Sequence, residues 1–144
     1  MEIRSATKKD IDEISKLMLS SFTKPPFKEK DNIKAVKESL NFYFKIGKSF
    51  IAVENKEIIG VIIFKTERYW EGEVVVVEDL AVKEEDRDQG VGHKLMLEVE
   101  KYAKKNKAKK VSFDTHKKSS AVKFYKEQGY KINQNTVSLS KKIR

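Results

Sequence analysis

The stretch that decides the reading is EVVVVEDLAVKEEDRDQGVGHKL, from Glu73 to Leu95. It opens on four successive valines, Val74 to Val77, a β-branched run without polar alternation, as in a strand covered on both faces. The strand takes in Glu78 and Asp79, continues through Leu80, Ala81 and Val82, and gives way to a charged loop ending Arg87-Asp88-Gln89-Gly90-Val91-Gly92. After the glycines a helix is expected. First-turn N–H groups have no intrahelical acceptor, and a glycine loop lets backbone approach a ligand closely, so the junction is an anion cradle centred on Gly90.

Three motifs compete for that cradle. The dinucleotide fingerprint wants a third glycine where Leu95 stands and a turn directly after the strand, yet seven residues (83–89) separate Val82 from Gly90. Only Asp114, at a distance suited to a ribose contact, favours it. The P-loop pattern fails at His93. The third reading is a resemblance: Arg87-x-x-Gly90-x-Gly92, following Leu-Ala-Val at a strand end, resembles the acetyl-CoA pyrophosphate loop of the GNAT superfamily of N-acetyltransferases. A second stretch, Ser119 to Tyr130 (SSAVKFYKEQGY), is similar to that family's A-x-x-[FL]-Y-x-x-x-G-[FY] signature, in which the tyrosine lies beside the cofactor sulfur. Lys118 stands where many members have Asn, which leaves Ser119 or Ser120 to contact the pantetheine arm.

The chain has 144 residues, enough for one domain over 1–144 that buries about two-thirds of its unfolded surface. A hydrophobic content of 39% beside 37% charged residues describes a soluble globular protein, and no run approaches a membrane span. MEIRSATKKD has no apolar leader segment, and the chain has no cysteine, so disulfides and thiol catalysis are excluded and the cytoplasm is the expected compartment. A net charge of +9 permits nucleic-acid binding, but the lysines are scattered among glutamates as on a solvated surface, and no nucleic acid is expected. His93 and His116, 23 residues apart with no ligand spacing, give no metal site.

In chain order, Met1–Ala6 reads as a strand, and Thr7 with Asp10 has capping-box spacing before a helix bearing Ile11, Ile14, Leu17, Met18 and Phe22. Thr23 to Phe27 is a proline loop, and Asp31 is placed to cap a helix bearing Ile33, Val36, Leu40, Tyr43 and Phe44 up to Gly47. Ser49–Glu54 and Ile58–Arg68 form antiparallel strands around Asn55-Lys56, with Gly60 a bulge or close-approach position, and Trp70-Glu71-Gly72 turns into the valine strand. The helix after Gly92 turns Val91, Leu95, Val99 and Tyr102 inward. Lys107–Lys110 is a linker, Val111–Asp114 a strand, Ser119 or Ser120 a cap, and Gly129 a C′ residue. Tyr130–Ile132 and Thr136–Leu139 read as a closing hairpin. The order β-α-α-β-β-β-α-β-α-β-β is a mixed α/β (α+β) fold with helices on both faces of a central mixed sheet, and it resembles the GNAT fold over essentially the whole chain. The resemblance implies that the strands ending at Val82 and beginning at Val111 splay into a cofactor wedge.

Acetyl transfer to an amine of pKa about 10.4 needs deprotonation at neutral pH, so a base helps. Glu78 is the candidate; regular alternation groups it with Val74, Val76 and Leu80, whose apolar character would favour its protonated form, while Asp79 goes with Val75 and Val77. The resemblance makes Tyr125 the acid for the leaving thiolate. It also implies that the backbone of Leu80, Ala81 and Val82 holds the pantetheine, that Arg87, Asp88, Gln89, Gly90, Val91, Gly92 and His93 surround the pyrophosphate, and that Ser119 and Lys123 add contacts to acetyl-CoA. Glu67, Glu71, Glu73, Glu78 and Asp79 make one acidic stretch in a basic chain, which favours a cationic small-molecule or peptide amine walled by Thr23–Lys30 and Tyr69–Gly72, with Phe27, Tyr69 and Trp70 for packing. Two other classes remain: a catalytically silent acyl-CoA sensor, and a basic nucleic-acid binder using Tyr43, Tyr69 and Trp70. By association with similar proteins, the final strands are a candidate homodimer interface.

Overall fold

The computed structural model describes residues 1–22 and 33–144. Five strands form one sheet in chain order: β1 (Glu2–Ser5), β2 (Lys48–Glu54), β3 (Glu57–Tyr69), β4 (Gly72–Val82) and β5 (Lys110–Ser112). The first four are antiparallel neighbours and β5 joins β4 in parallel. A parallel strand needs a crossover, which α3 (Val91–Lys105) supplies; α4 (Ala121–Glu127) follows β5. α1 (Ile11–Phe22) and α2 (Ile33–Ile46) precede β2. The mixed α/β fold expected from the sequence is thus present. The Asp31 cap and the Thr23–Lys30 wall fall outside the described residues.

Each helix is anchored by the face its sequence pattern defines. Ile11, Ile14, Leu17 and Met18 of α1 and Leu40 of α2 are buried against Ile51, Val61, Ile63 and Ala81 on one side of the sheet. Val91, Leu95, Met96, Val99 and Ala103 of α3, with Tyr125 of α4, are buried against Ile62, Phe64, Val75 and Val77 on the other. Before α1, the Asp10 carboxylate accepts from the Thr7 N–H at 2.8 Å and from the Arg4 guanidinium at 3.0 and 3.1 Å, fixing the exit from β1. α4 ends at Gly129, whose φ of +93° suits a residue without Cβ. There the Tyr130 N–H donates to the Tyr125 carbonyl (3.0 Å) and the Gly129 N–H to that of Lys126 (3.1 Å), the paired bonds of a Schellman motif.

Two bulges interrupt the regular alternation. Ala52 pairs with Gly60 while Val53 pairs with Ile58, leaving Ile59 as an extra residue of β3. Gly60 beyond it is a close-approach point, since a Cβ there would lie 2.9 Å from Val91 Cγ1 and 3.1 Å from Leu95 Cδ1. On β4, Asp79 pairs with Ile63 and Val77 with Phe64, so Glu78 is the extra residue.

That second bulge overturns the expected facing of the carboxylates. Val77 pairs with Phe64 and Leu80 with Ile62, both on the α3 side, although three positions separate them. Asp79, opposite Ile63, falls on the α1/α2 side, and Glu78 bonds to Lys65 on that same side. Both carboxylates therefore leave the α3 core to apolar residues, and Asp79 does not share a face with Val75 and Val77.

The closing hairpin does not form either. Residues 131–144 carry no strand and are exposed throughout. Thr136–Leu139 has the alternation of a strand but no partner strand here, and without a ladder that pattern produces no sheet.

Candidate active site

The β4–β5 ladder covers only Val74–Val76 against Lys110–Ser112. Past Val76 the two strands part, and a cavity of about 620 Å³ opens between the end of β4 on one side and Phe113, Asp114 and Thr115 on the other. The β3–β4 bulge at Glu78 lies two positions past Val76, the last residue of the β4–β5 ladder.

One rim of the cavity is the loop into α3. Asp88 and Gly90 both have positive φ, +63° and +81°, which curls the backbone around Gln89. Gly90 is the N-cap, and the first intrahelical bond runs from the Lys94 N–H to the Gly90 carbonyl at 3.0 Å. The N–H groups of Val91, Gly92 and His93 thus precede the helical ladder and carry the positive end of its dipole. The helix starts at Val91, so Gly92 lies inside its first turn, and the start is two residues earlier than the sequence pattern suggested. A Cβ on Gly92 would stand 3.7 to 3.8 Å from Phe124, Leu80 and Val82, ordinary contact distances that place this turn between α4 and the end of β4. His93 Nδ1 is buried with no hydrogen-bond partner among the described residues. Arg87 lines the cavity while its Nε donates to the Val82 carbonyl at 3.3 Å. Gln89 does not line it; its side chain is exposed and turns back toward the Glu85 carbonyl at 3.5 Å.

The opposite wall is α4 and its approach. The Ala121 N–H donates to Ser119 Oγ at 3.2 Å, so of the two serines Ser119 makes the turn that opens the helix, and it lines the cavity together with Lys123. Tyr125 is the buried residue of α4. Its ring packs on Phe113, Phe124 and Tyr130 at centroid distances of 4.3, 5.2 and 6.0 Å, and burial pushes its phenol up to about 12. Tyr130 donates its hydroxyl to Glu100 at 2.8 Å, and burial followed by that bond raises its pKa as well.

The third wall faces α1 and α2. Ser21, near the end of α1, lines the cavity with Glu78 and Asp79. Tyr43 of α2 lies within the field of both acids: burial, then Asp79 and Glu78, raise its pKa, and Lys65 opposes them. Lys65 Nζ sits 2.8 Å from Glu78 and 3.0 Å from Glu67, and those two carboxylates hold its pKa well above the ordinary lysine value. Glu78 thus has an ammonium neighbour where apolar ones were expected. Glu67 also accepts from the Tyr69 hydroxyl, and Glu71 pairs with Lys110 at 3.2 Å. Of the acidic stretch, Glu67 and Glu71 are occupied by lysines away from the cavity, and only Glu78 and Asp79 reach it.

The cavity therefore collects Glu78, Leu80, Ala81, Val82, Arg87, Asp88, Gly90, Val91, Gly92, His93, Ser119, Lys123 and Tyr125, residues singled out from the sequence, and leaves out Gln89. Sequence reasoning missed Ser21, Phe113 and Tyr43. Ser21 and Tyr43 reach this corner only through tertiary packing, whereas Phe113 could have been found as the residue just past the β5 ladder.

The sheet thus parts beside a helix N-terminus, with a tyrosine-bearing short helix across the gap. The family model for the acetyltransferase (GNAT) family matches residues 11–130, and the chain belongs to that family. Members generally use acetyl-CoA. No curated protein matches by sequence. Among solved structures, a possible acetyltransferase from Clostridium difficile 630 superposes with a TM-score of 0.87 at 15% identity, covering 99% of this chain and 98% of that one. The apo aminoglycoside antibiotic 6'-N-acetyltransferase from Acinetobacter haemolyticus gives 0.80 at 18% identity over 100% of both chains. A ribosomal-protein-alanine N-acetyltransferase from Brucella melitensis biovar Abortus 2308 gives 0.79 at 15%, covering 98% of this chain and 99% of that one. These likenesses establish the fold. No helix among the described residues is long and apolar enough to cross a membrane.

Proposed function

We propose that this chain moves an acetyl group from acetyl-CoA to a cationic primary amine by direct attack in a ternary complex. The observation that carries the proposal is the wedge itself, with unbonded first-turn N–H groups on one rim and the buried Tyr125 across from them. The residues fit the cofactor: curled backbone at Asp88 and Gly90, the unpartnered His93 Nδ1, and cationic Arg87 and Lys123 suit a pyrophosphate-bearing chain. Acetyl-CoA supplies an activated acyl group as a thioester. Val91, Gly92 and His93 would bind its phosphates, and the end of β4 from Leu80 to Val82 would align its arm. Tyr125, kept protonated by burial, holds its proton at the phenolic oxygen inside the wedge, where a leaving sulfur needs a donor.

Glu78 and Asp79 make the acceptor wall. An ammonium entering there is attracted by two carboxylates, one of them already shared with Lys65. Glu78 takes the amine proton, with Lys65 holding its carboxylate in place. Tyr43 and Ser21 flank the same wall. A thermal shift with acetyl-CoA followed by a thiol-release screen over amines tests the reading. Stabilisation by acetyl-CoA with turnover only on cationic amines, at a KM that rises with salt, is the expected result. Binding without turnover on any amine would instead identify a sensor, and equal turnover of neutral or acidic amines would overturn the acceptor class.

A further inference from the structure

The far end of α3 gathers charge that the wedge does not use. Residues 101–110, KYAKKNKAKK, hold six lysines and no acid, a net +6 in a chain of +9. Elsewhere several lysines are matched, Lys37 to Asp12, Lys65 to Glu67 and Glu78, and Lys83 to Glu57. Here only Lys110 is, at 3.2 Å from Glu71; Lys101, Lys104, Lys105, Lys107 and Lys109 are exposed with no carboxylate partner among the described residues. The negative end of the helix dipole accounts for Lys104 and Lys105 in the last turn but not for Lys107 and Lys109 beyond it. Lys101 repels Lys104 and Lys105, one turn away on the same helix, and a bound anion would offset that repulsion.

The fold sets an aromatic side chain beside this cluster. The Lys109 N–H donates to the Glu73 carbonyl at 2.8 Å, and the Lys109 stem lies over Gly72, 3.0 Å from where a Cβ would stand. With Glu71 on Lys110, these contacts fasten the turn between β3 and β4 to the lysine segment, and Trp70 stands at that turn wholly exposed. The cavity takes in β4 only from Val77 onward, so the Tyr69–Gly72 turn lies at the other end of that strand and is not the acceptor wall expected from the sequence.

We propose that this face, Lys101 to Lys110 with Trp70, holds a single-stranded nucleic acid, its phosphates on the lysines and one base stacked on the indole. Ammonium groups spaced along an exposed helix end and its loop neutralise successive phosphates, and an exposed indole is a stacking platform for any base. The expectation of no nucleic-acid partner rested on lysines scattered among glutamates, a pattern that residues 101–110 do not have. An acidic membrane surface would use the same charges but needs apolar area as well. The segment's own apolar residues, Tyr102, Ala103 and Ala108, pack on the core, leaving only Tyr69 and Trp70 at this corner. α3 has 15 residues and is about 22 Å long, so this face and the wedge at the helix N-terminus can be occupied together.

Trp70 is the chain's one tryptophan, so its fluorescence reports this corner alone. An oligouridylate of about 12 nucleotides, titrated into the full chain at low salt, should quench that emission. The logarithm of the binding constant should fall against that of the salt concentration with a slope of about −3 to −4, as expected for some five phosphates neutralised on a single strand. Trp70→Ala, followed by anisotropy of a labelled oligomer, should weaken binding about 10- to 100-fold. Lys105→Gln, Lys107→Gln and Lys109→Gln together should flatten the slope by about 2 and leave the far-UV spectrum native. Lys107 has a φ of +58° at a helix-end position that favours glycine, so Lys107→Gly should raise the melting temperature while lowering affinity, which separates binding from folding. An oligomer that does not bind, or that binds without quenching Trp70, overturns the proposal, and so does binding that the lysine substitutions leave unchanged. Tighter binding to phosphatidylserine vesicles than to the oligomer would assign the face to a membrane surface instead.

Discussion

Tyr125→Phe removes one oxygen from the centre of the proposed chemistry. The ring keeps its packing on Phe113, Phe124 and Tyr130, so the fold should hold to within about 1 kcal/mol, whereas Tyr125→Ala would cost about 3 to 5 kcal/mol of stability by emptying a buried site. How much catalysis the oxygen supplies depends on its acidity. A phenol at about 12 donating to a thiolate of ordinary pKa about 8.5 works against a gradient of roughly 3.5 units, near 5 kcal/mol. Burial in the same wedge disfavours the thiolate too, which narrows that gap. The hydroxyl then acts chiefly as a hydrogen-bond donor to developing charge, an effect of about 3 to 4 kcal/mol in a dry site. We therefore expect kcat to fall about 10²- to 10³-fold, with KM for acetyl-CoA nearly unchanged. Thiol release under saturating acetyl-CoA measures both. Native activity should also persist to alkaline pH without a limb near the ordinary tyrosine value of about 10, because the buried phenol stays protonated there. Full turnover by the Phe variant would refute the assignment and return Tyr125 to the core.

The burial of Tyr125 predicts alkaline destabilisation. Its folded pKa is raised, so its contribution is complete below about pH 10 and is lost as pH rises to about 12, roughly 3 kcal/mol over those two units; urea melts in this window should fall steeply for the native chain and less so for Tyr125→Phe. Gly60→Leu forces a side chain against Val91 and Leu95 and should destabilise by about 1 to 3 kcal/mol in denaturant titrations, with weaker acetyl-CoA binding as the start of α3 is displaced. Lys65→Met leaves Glu78 without its ammonium; KM for a cationic acceptor should fall, while Lys65→Arg should restore the native KM.

Local pattern carried the larger part of the fold into view. Val74 to Val77 read directly as a covered strand, Gly129 as a helix stop and Gly90 as the entry to α3, because each depends on backbone preference or on burial of its own neighbours. The bulge at Glu78 left no mark: no glycine or proline signals it, and only the pairing of Phe64 with Val77 and Ile63 with Asp79 reveals it. The ion pair that redefines Glu78 is a cross-strand contact set by that same shift. Tyr43 arrives from α2, so no periodicity within β4 could have placed it. The last 14 residues show the converse case, an alternating pattern that forms no strand.

The extra residue in β4 works as a frame change within a single strand. Upstream of Glu78, the odd-numbered positions Val75 and Val77 face α3; downstream, the even-numbered Leu80 and Val82 do. The two halves can therefore drift by substitution independently, one face tuned to whatever amine arrives while the other continues to seat α3 and its loop. Removing Glu78 itself would only regularise the strand and keep the pairs Val77–Phe64, Asp79–Ile63 and Leu80–Ile62, whereas a deletion at Leu80 would withdraw an apolar side chain that packs on the α3 core. Variation in acceptor preference among descendants of this sequence should accordingly accumulate as changes at and beside the bulge, with Leu80 and Val82 kept apolar.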